Sequence, residues 1–297
     1  MLTLQGIIPP VPTPFTRQGD LDTEALKALL EQLEPDVDGF LILGSNGEAA
    51  FLSEAERRQV VGAAREAIPA HKPLLVGTGG EATRLALARN QEAFEIGADA
   101  ALVLPPHYYV GAMTEAVLQT HYETLADASP LPLMLYNFPA VTTLALSPGL
   151  IAELAGHERI VGMKDSSGNV AALTETMRGV PEDFQVMTGS ASTFLAALAL
   201  GARGGILAVA NVAARPYRRL LDAFRAGDLE TARALQFGLN PLAQAVTTRF
   251  GIPGLKAAMR LRGLSAGYPR APLQDMGDTA ALVALLQDLE ADLTAKR

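Results

Sequence analysis

An apolar run that reads as a buried strand, Ile160-Val161-Gly162-Met163, ends on Lys164 and continues into Asp165-Ser166-Ser167-Gly168. Side chains on a strand alternate, so Ile160, Gly162 and Lys164 are expected on one face and Val161, Met163 and Asp165 on the other. A lysine at that end has two ordinary uses, pairing with a carboxylate or reaching solvent along its aliphatic stem. It also has a chemical one. Desolvation disfavours the charged form of an ammonium, and a neutral amine condenses with a ketone to give a Schiff base. The preceding apolar run ends with Tyr136-Asn137 and places Tyr136 at the equivalent height. Tyrosine there is ordinarily a packing residue with a satisfied hydroxyl. Beside a reactive amine, its phenol can carry the proton transfers that imine formation, imine hydrolysis and carbon-carbon cleavage require.

Three loops are rich in small residues. Gly44-Ser45-Asn46-Gly47-Glu48 offers backbone N-H groups and two polar side chains to an anion, although Gly, Ser and Asn also make ordinary turns. With Glu48 in the loop, a single carboxylate is a better expectation than a multiply charged phosphate. Thr188-Gly189-Ser190 either touches a ligand or merely turns the chain. Gly77-Thr78-Gly79-Gly80-Glu81-Ala82 satisfies G-x-G-x-x-A, the weak form of a dinucleotide fingerprint, but in a third unit instead of at the start of a nucleotide domain. His71, His107, His121 and His157 are scattered without metal-ligand spacing, and no G-x-S-x-G elbow marks a serine hydrolase. With no cysteine there is no thiolate nucleophile and no disulfide. This inventory suits a lysine mechanism with neither metal nor cofactor.

Such residues need a frame to position them. Eight short apolar runs recur between Gly, Pro or Asp: Gly6 to Val11, Gly39 to Leu43, Pro73 to Val76, Ala100 to Leu104, Leu131 to Tyr136, Ile160 to Lys164, Phe184 to Met187 and Gly204 to Ala208. Between them lie helical stretches such as Ser53 to Ile68, where Ser53 and Glu56 form a capping box. Ile96-Gly97-Ala98-Asp99 and Leu200-Gly201-Ala202-Arg203 each put glycine where a helix ends in a left-handed turn. Strands this continuously apolar suit a parallel sheet covered on both faces. Eight such units over about 225 residues predict a (β/α)8 TIM barrel with its chemistry at the C-terminal rim of the strands. An open, doubly wound sheet is the alternative. Leu229 to Val246, Pro253 to Arg262 and Thr279 to Ala295 read as helices. Residues 1–226 are therefore expected to form the catalytic barrel and 227–297 a C-terminal helical extension packed on it, within one structural domain.

The 297 residues, 49% hydrophobic, can bury a sizeable core. A net charge of -8 argues against nucleic acid or an anionic membrane as partner. The first residues lack an export pattern, and no apolar stretch approaches the roughly 20 residues of a membrane span. The expectation is a soluble, cytoplasmic protein.

Three motifs occur in order at the ends of the second, fifth and sixth runs: Gly44-Ser45-Asn46-Gly47-Glu48, Tyr136-Asn137-x-Pro139 and Gly162-x-Lys164-Asp165-Ser166-Ser167-Gly168. Together they resemble the dihydrodipicolinate synthase and N-acetylneuraminate lyase superfamily over nearly the whole chain. The resemblance implies a barrel with a C-terminal helical extension, usually a homotetramer built as a dimer of dimers, that uses pyruvate through a lysine Schiff base. By this resemblance Lys164 forms the imine and Tyr136 relays protons. Ser45, Asn46 and Gly47 bind the pyruvate carboxylate, Ser45 also passing protons to the tyrosine, and Ser166, Gly189 and Ser190 complete the substrate-binding set. Tyr109 resembles the tyrosine that reaches into a neighbouring subunit's site.

Synthases of this superfamily usually read Y-N-x-P-x-R-T-G, their arginine gripping the carboxylate of aspartate semialdehyde. Here Val141 stands in that place and supplies neither charge nor donor. The Ser-Asn loop, Tyr108-Tyr109-x-Gly111-x-Met113, Asp183-Phe184-Gln185-Val186, Thr248 to Lys256 and Arg270 to Gln274 are similar to the 4-hydroxy-2-oxoglutarate aldolase branch, which yields pyruvate and glyoxylate. That activity is the expectation, with a 2-oxo acid and an aldehyde as partners. Dihydrodipicolinate synthase is the alternative, and a non-catalytic 2-oxo acid sensor or an NAD(P)-binding oxidoreductase the distant ones.

Overall fold

The computed structural model describes residues 2–294 and contains eight parallel strands: β1 (Gly6–Ile8), β2 (Phe40–Ile42), β3 (Leu74–Gly77), β4 (Ala100–Val103), β5 (Leu133–Asn137), β6 (Ile160–Asp165), β7 (Gln185–Thr188) and β8 (Gly204–Ile206). They run in the order β1-β8-β7-β6-β5-β4-β3-β2. The seam between β1 and β2 closes just beyond β1, where the Val11 N-H donates to Leu41 O at 2.8 Å and the Leu41 N-H to Pro9 O at 3.1 Å. The expected (β/α)8 TIM barrel is what forms, and the open-sheet alternative is overturned. With it goes the dinucleotide unit. The glycines of that loop answer to barrel packing, since a Cβ on Gly77 would lie 2.0 Å from Leu43 O and one on Gly79 2.8 Å from Leu104 N.

Every strand residue except Val161 is buried, which is why the runs read as continuously apolar. Ile8, Leu41, Leu75, Leu102, Met134, Met187 and Ile206 fill the barrel interior. Ile7, Phe40, Val76, Val103, Leu135 and Val186 point outward beneath the helices.

Those helices are α1 (Thr23–Leu33), α2 (Glu54–Ala67), α3 (Thr83–Ile96), α4 (Glu115–Ala128), α5 (Pro139–Thr142), α6 (Pro148–Leu154), α7 (Val170–Gly179), α8 (Phe194–Ala199) and α9 (Ala210–Arg225). Then come α10 (Leu229–Gln244), a π-helical stretch Ala245–Arg249, α11 (Gly251–Leu261) and α12 (Ala280–Thr294). Ala295, in the stretch expected to be the last helix, lies outside the described residues. Leu239, Leu242, Leu255 and Leu282 join the same buried cluster as the outer barrel core. The capping box forms at α2, with Ser53 N donating to Glu56 Oε2 at 2.9 Å and Glu56 N to Ser53 Oγ at 3.3 Å. Gly97 and Gly201 take φ of 103° and 104° at the ends of α3 and α8.

Strict alternation fails at the start of β6. Leu133 pairs with Ile160 but Met134 with Gly162, a bulge that shifts the phase by one residue. Ile160 therefore joins the outer core, and Val161 packs against the inner one, opposite to expectation. Beyond the bulge, Met163 faces outward and Lys164 inward beside Tyr136.

His121 on α4 is buried, with Nδ1 2.8 Å from Thr83 Oγ1. Burial lowers its pKa from 6.5 to about 4. Between those values the unfolded chain holds the proton that the folded one refuses, so stability should fall as pH drops through this window, by at most about 1.4 kcal/mol per pH unit. His121→Gln is expected to flatten the pH dependence of the melting temperature there. An unchanged profile would contradict this assignment.

Candidate active site

Register sets Tyr136 of β5 directly opposite Lys164 of β6. The Lys164 Nζ donates to the Tyr136 hydroxyl at 3.0 Å and sits 4.1 Å from the centroid of its ring. Relative exposures of 4% and 3% show that the lysine does not reach solvent along its stem. Nor is it paired. Lys27 has Glu24 and Glu66, Lys72 has Glu34 and Lys256 has Glu48, whereas Lys164 is the one lysine among the described residues with no ion pair. The two ordinary uses of a strand-end lysine are thus both absent. Phe138 stacks on Tyr136 at 5.6 Å and 18°, fixing the ring that carries the phenol.

Two residues that the sequence reading passed over hold this pair in register. Asn137 and Asp165 are the next residues along β5 and β6, and Asn137 Nδ2 donates to Asp165 Oδ1 at 2.8 Å. The Ser167 hydroxyl donates to Asp165 Oδ2 at 2.9 Å. Burial pushes the Asp165 carboxyl above its usual range, while hydrogen bonds from Ser167 and Asn137 pull it down. The signal was present, because both residues are adjacent to Lys164 and Tyr136 in the motifs themselves.

The Ser45–Gly47 segment forms a 3-10 turn after β2, tied by the Thr13 hydroxyl donating to Gly47 O at 2.7 Å. Ser45 Oγ and Asn46 Nδ2 are buried and have no hydrogen-bond partner among the described residues, and neither has Thr78 Oγ1 after β3. Buried polar atoms normally have partners, so such atoms at a barrel mouth are places for a ligand. Glu48 departs from expectation. Its carboxylate is 2% exposed and bonded to Lys256 of α11, so its charge is balanced behind the loop and is no argument against phosphate.

Gly189, after β7, is packed against the lysine. Its N-H donates to Asp165 O at 2.6 Å, and a Cβ there would lie 1.9 Å from Ser166 Oγ and 2.9 Å from Lys164 Cε. Ser166 N donates to Asn137 O at 2.8 Å and Ser190 N to Thr188 Oγ1 at 3.1 Å. Ser166 and Gly189 therefore gather at Lys164. Tyr109 does not join this buried group: it is 72% exposed, edge-on to Tyr108 at 4.9 Å. Gly189→Ala should displace the amine or Ser166 and lower catalytic efficiency toward pyruvate by about 100-fold, the cost of misplacing a reacting group by roughly 1 Å. Efficiency equal to the parent's, with the circular dichroism unchanged, would contradict the contact.

A (β/α)8 barrel that presents a buried lysine with no ion pair to a phenol at the C-terminal rim has the parts that a lyase of the aldolase class needs. The chain belongs to the dihydrodipicolinate synthetase family, whose model matches residues 3–290. A 4-hydroxy-tetrahydrodipicolinate synthase of Exiguobacterium is 36% identical over 93% of this chain and 94% of its own length, and one of Methanoculleus marisnigri is 37% identical over 92% and 94%. Among solved structures, YagE of E. coli K12, a prophage protein of the dihydrodipicolinic acid synthase family in complex with pyruvate, is 34% identical. It covers 98% of this chain and 99% of its own, with a TM-score of 0.89. A structure from Thermus thermophilus is 43% identical over 96% and 98%, also at 0.89. This chain is a pyruvate-dependent aldolase of that family.

Proposed function

We propose that the Lys164 amine attacks the ketone of a 2-oxo acid whose carboxylate is held by Ser45 Oγ, Asn46 Nδ2 and the backbone at Gly47. Loss of water gives an iminium, which accepts the electron pair of the neighbouring carbon-carbon bond when Tyr136 takes the proton of the departing hydroxyl. Aldehyde leaves, the enamine is protonated at carbon, and hydrolysis releases pyruvate and the amine. In the reverse direction the enamine adds to the aldehyde. Ser166, Gly189 and Ser190 wall the imine. The observation that carries this reading is the 3.0 Å contact between a buried, unpaired amine and a phenol.

For the acceptor we favour glyoxylate, the 4-hydroxy-2-oxoglutarate aldolase reaction, on the segments similar to that branch, while Val141 removes the group that synthases of this family use to grip aspartate semialdehyde. Val141 is 47% exposed on α5 and offers no guanidinium to a second carboxylate. The second reading is 4-hydroxy-tetrahydrodipicolinate synthesis from aspartate semialdehyde, which the names of the relatives back better than they back the first. Val141 and the segments similar to the aldolase branch keep it second. Incubating the protein with pyruvate and each aldehyde in turn separates them by which one drives pyruvate consumption. Consumption with neither, despite imine formation, would leave a 2-oxo acid sensor. We also infer a homotetramer, in which Tyr109 enters a neighbouring subunit's site. The exposure of Tyr108, Tyr109 and Val110 at 76%, 72% and 42% supports an apolar contact there.

A further inference from the structure

Lys256 of α11 has no exposed side-chain surface. Its ammonium donates to Glu48 Oε1 at 2.5 Å, Thr13 O at 2.7 Å and Tyr268 O at 2.7 Å. An ammonium has three donors, so it is saturated, and its acceptors come from the loop after β1, the loop after β2 and the segment beyond α11. The other Glu48 oxygen accepts the Arg270 N-H at 2.8 Å. The Arg270 guanidinium donates to Phe51 O at 3.0 Å and to Glu56 at 2.6 and 3.1 Å, and it holds the Glu56 carboxyl down at about 2. Lys256 on α11 and Arg270 in the segment beyond it therefore grip the chain after Ser45 and Asn46 at three successive points, Glu48, Phe51 and Glu56. Glu48 itself takes a left-handed φ of 52°, unusual for a residue with a side chain.

Stability alone is a poor explanation for this pair. Burial lowers the Lys256 pKa to about 8, the Glu48 carboxylate offsetting only part of the desolvation. Apolar residues of similar volume often serve a buried core as well as an ion pair does. What the pair does besides is tie Glu48, the residue that follows Ser45–Gly47, to α11, next to the unpartnered polar atoms of Ser45 and Asn46.

We propose that the Lys256–Glu48 pair is a positioning device that sets the Ser45–Gly47 loop for the pyruvate carboxylate, which makes α11 part of the substrate-binding apparatus. This rests on the reading that Ser45 and Asn46 hold that carboxylate. The test is borohydride trapping titrated with pyruvate, which needs no aldehyde and separates half-saturating concentration from maximal labelling. Lys256→Met should raise the half-saturating concentration about tenfold, the order expected when a charge-assisted contact is lost, with maximal labelling of the folded protein unchanged. Glu48→Gln, which keeps the shape of the side chain but not its charge, should raise it severalfold.

A purely structural role would lower the melting temperature and leave the half-saturating concentration where it was, which overturns the proposal. Should Lys256→Met fail to fold, Glu48→Gln decides alone by the same criteria. Should neither fold, the pair is a folding requirement and the proposal fails. Ser45→Ala is the control. If it leaves the half-saturating concentration unchanged, the carboxylate reading falls and this inference with it. If it alone raises that concentration, only the role of the pair is refuted.

Discussion

Replacing Lys164 by alanine is expected to lower the catalytic efficiency of pyruvate turnover by roughly four orders of magnitude or more, as loss of a covalent nucleophile does. The fold should survive. Lys164 belongs to no ion pair, and its described hydrogen bond is to the Tyr136 hydroxyl, so no buried carboxylate is stranded when the ammonium is removed. This separates Lys164 from Lys256, whose removal strands Glu48. Steady-state rates together with circular dichroism check it. A Lys164→Ala protein with more than a tenth of the parent activity would contradict the assignment.

Tyr136→Phe should divide the chemistry differently. The ring that stacks on Phe138 is retained, the inner core stays filled and only the hydroxyl 3.0 Å from the amine is lost. Proton transfer by a positioned acid-base group is worth about 100-fold to 10,000-fold, and the loss should fall on kcat. The imine should still form, because Lys164 remains in place. A variant whose borohydride labelling with pyruvate disappears along with its turnover would show that the phenol positions the amine instead of relaying protons.

Most of the barrel was legible because parallel strands covered on both faces carry apolar residues without alternation, and all eight runs became strands. Their ends were less legible. Asn137 and Asp165 belong to strands although both are polar, because the Asn137 amide satisfies the Asp165 carboxylate inside the barrel wall. The bulge that inverts Ile160 and Val161 has no signature in residue type, since Leu133, Met134, Ile160, Val161 and Gly162 carry no polar side chain. That Lys164 and Tyr136 face each other was readable, because the phase beyond the bulge depends only on residues near the end of β6. The role of Glu48 was not. Its partner lies 208 residues away on α11, and sequence spacing holds no information on such a contact. Gly189 read as a turn or a ligand contact, and only the packing shows that a methyl there would meet Lys164 Cε.

The most direct test of the central claim is to reduce the protein with borohydride in the presence of pyruvate and map the modified peptide. The chain has five lysines, Lys27, Lys72, Lys164, Lys256 and Lys296, so the map is unambiguous. A stable adduct on the peptide containing Lys164, and on no other, is the expected result. An adduct on any of the other four with Lys164 unmodified, or no adduct at saturating pyruvate, would contradict the account.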